Sequence, residues 1–177
     1  HEQAKLLGRA LAEREAADSL AVVKILASPF ARTVQTAAAI ATELGVGAAA
    51  LAVEEGLCED PGHMAQNKLC TEPFFLRAAD LCVASPLGLD LRYTTKVPVQ
   101  LRRGATYPGR PLEDFSPPEE TEQAEPEEGE KAGEKSAFFA RVEHVARTVG
   151  AAPEWEDGAV VVVTHGAVCS AIVRTLT

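Results

Sequence analysis

The sequence predicts an α/β protein, a three-layer sandwich with a mostly parallel sheet. Two short, continuously apolar runs, "SLAVVKILA" and "VVVV", indicate strands that are covered on both faces. Helical apolar spacing follows each run, and such alternation is typical of parallel sheets. The 177 residues, 46% of them apolar, can bury one sizeable core. We therefore interpret 1–177 as a single domain whose core is formed by 1–57 and 136–177.

The first half of the chain predicts two helices and two strands. Residues 2–17 place small and apolar side chains on one helical face, and the strand of 19–27 follows. A helix is expected from Ala31 to Leu44, because Gly45 is placed to end it in the left-handed conformation. Residues 50–57, "ALAVEEGL", are a second candidate strand.

The middle of the chain lacks regular periodicity. Prolines recur throughout 58–112 and break any long element, so we expect an insertion there. Residues 113–135 hold ten acidic and two basic residues, so this segment carries −8 of the net charge of −9. Its Glu- and Pro-rich composition cannot bury enough apolar surface to offset the cost of ordering the chain. We expect an acidic disordered loop over 113–135.

Regular structure returns at the C-terminal end. Ser136 can cap a helix that Gly150 ends, and apolar residues recur in it at Phe139, Val142, Val145 and Val149. A buried strand is predicted for Val160–Val163 and a helix for Ala167–Leu176. These elements complete the alternation of apolar strand and helix.

Composition excludes several classes of protein. No apolar run reaches the roughly 18 to 20 residues of a membrane span, and no secretory leader pattern follows His1, so we expect a cytoplasmic protein without a membrane partner. Cysteine spacing indicates reduced thiols.

Cys58, His63 and Cys70 lack a fourth ligand, so neither a metal nor a cofactor is predicted. The dense charge run is acidic, which argues against nucleic-acid binding.

Groups suited to an anion follow two of the predicted strands. In open parallel sheets ligands bind beyond the carboxyl ends of the strands. Ser28 and Arg32 follow the first strand, and His165 follows the last. A helix start offers free N–H groups, arginine adds a planar fork of donors, and histidine adds a donor that can become cationic. We predict a phosphate pocket; the structural alternatives are a surface arginine and a hydrogen-bonded structural histidine.

Four segments resemble a known family. "SPFARTVQTA" resembles the SPxxRTxQTA motif of the histidine phosphatase superfamily, also called phosphoglycerate mutase-like, and "VVVVTHG" resembles its second histidine motif. "VEEGLCED" and "DLRYTTKVPV" are most similar to the branch of the suppressor of T-cell receptor signalling phosphatases and ecdysteroid-phosphate phosphatase. The resemblance implies a phosphoglycerate mutase-like fold in which the insertion 58–112 lies over the active site.

The resemblance also implies a mechanism, in which phosphomonoester hydrolysis passes through a phosphohistidine. Arg32 matches the arginine that clamps the phosphate, and His165 matches the second pocket histidine. Glu59 falls at the position of the proton donor, with Glu54 and Glu55 as neighbouring alternatives. The expected substrate is a phosphorylated small molecule or a phosphoprotein, and the sequence does not separate phosphatase from mutase.

One family motif does not occur in this sequence. The family's nucleophile lies in an Arg-His-Gly triplet at the end of its first strand, and no such triplet occurs here. His1 directly precedes the first helix, past the nucleophile's position, so we do not assign it that role. Two hypotheses follow: the chain is a fragment of an active phosphatase, inactive alone and lacking the first strand, or it is a phosphate-binding or adaptor pseudophosphatase.

Overall fold

The computed structural model describes residues 2–59, 78–98 and 137–177. Several predictions lie outside these described residues. They concern His1, His63, Cys70, the cap Ser136, most of the insertion 58–112 and the acidic loop 113–135.

The centre of the molecule is a sheet of three parallel strands in the order β2-β1-β3. They are β1 (Val22–Ala27), β2 (Leu51–Val53) and β3 (Ala159–Val163). The last residues of all three strands are paired across the sheet, so the strands end level. The parallel sheet is the one that the apolar runs predict, and its level edge is where loops converge.

Helices cover both faces of this sheet, which confirms the predicted α/β class. One face carries Ile25 of the sheet with Val34 of a helix, and the other carries Leu26 with Val145 and Val168. In the described part of the chain, no helix has the length and apolarity that crossing a bilayer requires. The helices are α1 (Glu2–Asp18), α2 (Ala31–Leu44), the short α3 (Ala78–Leu81), α4 (Ala137–Gly150) and α5 (Gly166–Leu176).

The boundaries of α2 agree with the prediction, whereas those of β2 do not. Gly45 adopts the left-handed conformation with φ 71° and ends α2, which a residue without Cβ does at little cost. The predicted strand 50–57 is wrong in length, because Glu55–Leu57 forms a 3₁₀ turn instead of continuing β2. The sharp turn brings the acidic residues to the end of the sheet.

The buried face of helix α4 only partly matches the face that the apolar spacing predicts. Val142, Val145 and Val149 are buried, as their spacing predicts, but Phe139 is 46% exposed. Arg141 is instead among the most buried side chains, with 1% of its surface exposed. The helix therefore places a cation, beside its valines, against the sheet.

Candidate functional site

The level strand ends bring three chain segments to one edge of the sheet. The Ser28 amide donates to the Val163 carbonyl at 2.9 Å, and the Glu54 amide donates to the Ala27 carbonyl at 2.9 Å. The strand pairing thus continues one residue past β1 and β2. Helices α2 and α5 both begin at this same edge, within a few residues of the strand ends. The candidate site is built where these segments meet.

His165 lies at the centre of the site and contacts both other predicted phosphate ligands. Its Nε2 is 2.8 Å from Oγ of Ser28, and its Nδ1 is 3.1 Å from Nη2 of Arg32. The Phe30 ring meets the imidazole edge to face, with ring centroids 4.6 Å apart. The Arg32 guanidinium lies over that same ring, 4.6 Å from its centroid. The structure therefore brings Ser28, Arg32 and His165 together, as the sequence predicts.

These contacts fix the protonation state of His165. A guanidinium only donates hydrogen bonds, so Nδ1 accepts from Arg32, and the proton of the neutral ring is on Nε2 and is donated to Ser28. Burial, and then the positive charge of Arg32, lower the pKa of His165 to about 4. At neutral pH the imidazole is therefore uncharged.

The arrangement is suited to binding an oxyanion. Arg32 is exposed although it contacts the buried His165, so its guanidinium has a solvent-facing side. Within the described part of the chain, the residues that precede α2 and α5, Phe30 and His165, provide no side-chain hydrogen bond to cap their helices. The first-turn N–H groups and the positive dipole ends of both helices thus add to the charge of Arg32.

Ser28 is fully buried, and its hydroxyl is bonded to the imidazole. The Thr33 hydroxyl donates to the carbonyls of Ser28 and Phe30, at 2.7 and 2.8 Å, and so holds the turn between β1 and α2. These contacts indicate that Ser28 orients His165.

Glu54, one alternative for the proton donor, is engaged in a structural network. Its carboxylate is fully buried and accepts hydrogen bonds from four groups. Burial and the Glu54 charge raise the pKa of Tyr93 well above its usual value. The carboxylate therefore joins the end of β2 to the segment around residues 93–96. Its donors are the amides of Gly56 and Lys96 and the hydroxyls of Tyr93 and Thr95.

Glu59 follows a turn that is anchored to the site at two consecutive carbonyls. The Thr164 hydroxyl donates to the Leu57 carbonyl at 2.7 Å, and Nη2 of Arg141 donates to the Cys58 carbonyl at 2.6 Å. Glu59 itself is partly exposed, and so is Glu55.

Cys58, which directly precedes Glu59, is a buried thiol. Burial raises the pKa of Cys58 to about 12; the charges of Arg141 and Arg32 oppose this shift, and those of Glu59 and Glu55 add to it. The high pKa indicates an unreactive thiol. Among the residues that the structure describes, no group of His, Cys, Asp or Glu could hold a metal ion.

Sequence reasoning missed two residues that shape this site, Arg141 and Thr164. A signal for Arg141 exists, since it stands three residues after Phe138 and four before Val145, on the face that packs inward. Thr164 directly precedes His165, but nothing in the sequence relates it to Leu57, which lies more than one hundred residues earlier.

Two comparisons with known proteins bear on this site. Residues 1–70 match the family model described as Histidine phosphatase superfamily (branch 1). The structure is similar to the crystal structure of ecdysone phosphate phosphatase from Bombix mori in complex with tungstate, with a TM-score of 0.61 and 22% sequence identity. The chain resembles the histidine phosphatase superfamily in sequence and in fold. A comparison with curated proteins found no match.

The match to the superfamily covers only part of the site. Residues 1–70 include Arg32 and Glu59, whereas His165 lies outside this range. The structural likeness extends over 98% of this chain and 53% of the Bombix mori protein, so the chain spans about half the length of that neighbour. At this identity the likeness is one of fold.

Proposed function

We propose that the protein hydrolyses phosphomonoesters through a phosphohistidine intermediate, and that Arg32 and His165 bind the phosphoryl group. The observation that carries this proposal is the 3.1 Å contact between their side chains at the carboxyl edge of the sheet, where two helix N-termini converge. The tungstate of the Bombix mori complex is an oxyanion, and that protein has the same fold. That protein is named for ecdysone phosphate, a phosphorylated small molecule, so a phosphorylated small molecule is our preferred substrate class and a phosphoprotein is the alternative.

In the proposed first step, a histidine nitrogen attacks phosphorus and the bond from phosphorus to the leaving oxygen breaks. Glu59 gives its proton to that oxygen, which departs as an alcohol. Negative charge on the phosphoryl oxygens is stabilised by Arg32 and by the helix N-termini. Binding of the anion also favours protonation of His165, which then adds a second cation beside the phosphoryl group.

In the proposed second step, water attacks the phosphohistidine and the bond from phosphorus to nitrogen breaks. The Glu59 carboxylate takes the proton that the water loses. Inorganic phosphate leaves, and both the histidine and Glu59 return to their starting states. The two steps use the same donors, because the charge that develops on the phosphoryl oxygens is the same in both.

We further propose that the nucleophilic histidine comes from a segment outside the 177 residues. The sequence contains no Arg-His-Gly triplet. Within the described residues, β3 is an outer strand of the sheet, and Val160, Val161 and Val162 are only partly buried. An apolar strand with an open edge is a site for pairing with another strand. A strand that pairs there and ends in Arg-His-Gly would deliver its histidine to the edge that carries His165.

The second candidate function is that of a pseudophosphatase, which binds phosphorylated ligands without turnover. The absence of the Arg-His-Gly triplet from the sequence favours this candidate. It uses the same contacts of Arg32 and His165, and differs only in the missing nucleophile.

The experiment that separates these candidates compares the 177-residue chain with the same chain preceded by its natural upstream sequence. We expect both to bind tungstate, and only the longer protein to hydrolyse p-nitrophenyl phosphate and to form an acid-labile phosphoenzyme. Tungstate binding without turnover in the longer protein would favour the pseudophosphatase. Full activity of the 177-residue chain would show that the nucleophile lies within it, against our assignment.

A further inference from the structure

We propose that Arg141 and Thr164 are positioning residues for proton transfer, and that they fix the turn preceding Glu59 relative to His165. This inference rests on the proposed function, in which Glu59 protonates the leaving oxygen. Neither side chain needs to contact the substrate. Both act on the backbone of the turn, at the two carbonyls that precede Glu59.

Thr164 ties the turn to the strand end that carries the pocket histidine. Its hydroxyl donates to the Leu57 carbonyl at 2.7 Å, and the next residue along the chain is His165. The distance between the Glu59 backbone and the His165 backbone is thus set by a short path through one hydrogen bond. Loss of that bond would let the two move independently.

Arg141 ties the same turn to helix α4, on which it lies. Its guanidinium donates to the Cys58 carbonyl at 2.6 Å although only 1% of the residue is exposed. Among the residues that the structure describes, Nε of Arg141 is buried and has no hydrogen-bond partner. A buried guanidinium with an unsatisfied N–H is costly, and an apolar side chain of similar volume would avoid that cost. The arrangement is therefore better explained by the carbonyl that it fixes than by stability.

The turn also packs closely against α4 at Gly56, which leaves no room for a side chain. A Cβ atom added to Gly56 would lie 2.2 Å from Cγ2 of Val145 and 2.3 Å from Cγ2 of Val97. The carbonyls of Leu57 and Cys58 are in addition held by side chains from different parts of the chain, those of Thr164 and Arg141. The backbone that leads into Glu59 is therefore held by two hydrogen bonds and by close packing at Gly56, and accurate placement of a proton donor requires such support.

The test compares two substrates that differ in their need for a proton donor. Nitrophenolate leaves without protonation, whereas an alkoxide does not, so the ratio of kcat/KM for p-nitrophenyl phosphate to that for glycerol phosphate reports proton donation. We expect Glu59→Gln to raise this ratio by about 100-fold, within the usual range for general acid catalysis. Arg141→Lys and Thr164→Val, each in the protein with its natural upstream sequence, should raise it by about 10-fold.

Two matched controls separate positioning from loss of stability. Lys24→Met removes another buried cation, whose Nζ donates to the Ala49 carbonyl and to the Asp90 carboxylate, each at 2.8 Å, away from the turn at Glu59. Thr175→Val removes another partly buried threonine hydroxyl, which donates within α5. Both variants should lower the midpoint of thermal unfolding about as much as Arg141→Lys and Thr164→Val do. They should leave the ratio of kcat/KM for the two substrates unchanged.

The outcomes are distinguishable. An unchanged ratio in Arg141→Lys and Thr164→Val, alongside a raised ratio in Glu59→Gln, would overturn the positioning role and leave the proposed function intact. An unchanged ratio in Glu59→Gln would overturn the role of Glu59 in the proposed function itself. If Arg141→Lys does not fold, Thr164→Val decides alone, because it removes one hydroxyl and retains the volume of the side chain.

Discussion

Nη2 of Arg32 lies 3.1 Å from Nδ1 of His165, and this contact requires an uncharged imidazole. A guanidinium has no acceptor atom. Protonation of Nδ1 would therefore place two hydrogen-bond donors against each other and break the hydrogen bond. Within the described part of the site, a charged Arg32 therefore lies beside a neutral His165 ring. An arriving oxyanion can take the Arg32 donors and stabilise a proton on His165, so that the charge of the pocket rises when its ligand binds.

The first prediction concerns the titration of His165. Because burial and the neighbouring Arg32 disfavour the imidazolium, we expect a midpoint near 4 in the protein without anion, below the ordinary value of 6.5. Proton and nitrogen NMR of the His165 ring measures it directly. Saturating tungstate should raise the midpoint, since a bound anion favours the charged ring. A midpoint at or above 6.5 without anion would contradict the neutral state deduced from the contacts.

The titration of His165 also predicts how the free energy of unfolding depends on pH. As pH falls, the unfolded chain protonates its histidine near 6.5, whereas the folded protein resists protonation down to about 4. The contribution of His165 is thus present above pH 6.5 and is lost as pH falls from 6.5 to 4. The full loss is at most about 3.5 kcal/mol, at about 1.4 kcal/mol for each pH unit.

Urea unfolding of the protein and of His165→Asn, repeated between pH 4 and pH 8, tests this dependence. The difference in unfolding free energy between the two proteins should shrink as the pH falls, because asparagine does not titrate. A difference that stays constant over this range would show that His165 has similar pKa values in the folded and unfolded states.

Much of the fold was predictable because its signals are local. Continuous apolar runs mark β1 and β3, and the left-handed Gly45 ends α2 where the sequence places it. The level strand ends also explain why Arg32 and His165 could be paired from sequence, since parallel strands deliver the residues after them to one edge. These inferences need only the few residues on either side of each element.

The rest depends on contacts between distant parts of the chain. Glu54 looks like any member of an acidic turn until Tyr93, Thr95 and Lys96, about forty residues away, are found to donate to it. The predicted strand 50–57 fails for the same reason, because those donors hold the chain in a turn just after β2. Arg141 has a helical position that indicates burial, but its partner carbonyl cannot be read from the sequence.

Removal of the Arg32 guanidinium should abolish most of the proposed activity. In the protein with its natural upstream sequence, we expect Arg32→Ala to lower kcat/KM for p-nitrophenyl phosphate by about 100- to 1000-fold, as for other donors to a transition-state oxyanion. Arg32→Lys should recover little of this loss, because an ammonium cannot contact both the imidazole and the phosphoryl group as a planar fork does. Arg147→Ala, which removes an exposed arginine paired with Glu143 on α4, is the control and should have no effect. Retention of activity in Arg32→Ala would exclude the phosphate clamp.

Glu54 and Glu59 lie five residues apart, and we predict opposite effects for their substitution. Glu54→Gln places an amide N–H₂ among four hydrogen-bond donors in a fully buried site, so it should lower the free energy of unfolding by about 2 to 4 kcal/mol. Glu59 is partly exposed, so Glu59→Gln should lower the free energy of unfolding by less than Glu54→Gln does.

Activity should respond in the reverse order. After correction for the folded fraction, Glu54→Gln should keep the substrate preference of the unchanged protein, because its carboxylate is occupied by Gly56, Tyr93, Thr95 and Lys96. Glu59→Gln should lose hydrolysis of glycerol phosphate selectively. Urea unfolding combined with the two-substrate assay measures both properties on the same preparations. A selective loss of glycerol phosphate hydrolysis in Glu54→Gln, with no such loss in Glu59→Gln, would assign the role of proton donor to Glu54. The buried hydrogen-bond network around Glu54 would then have to open during turnover.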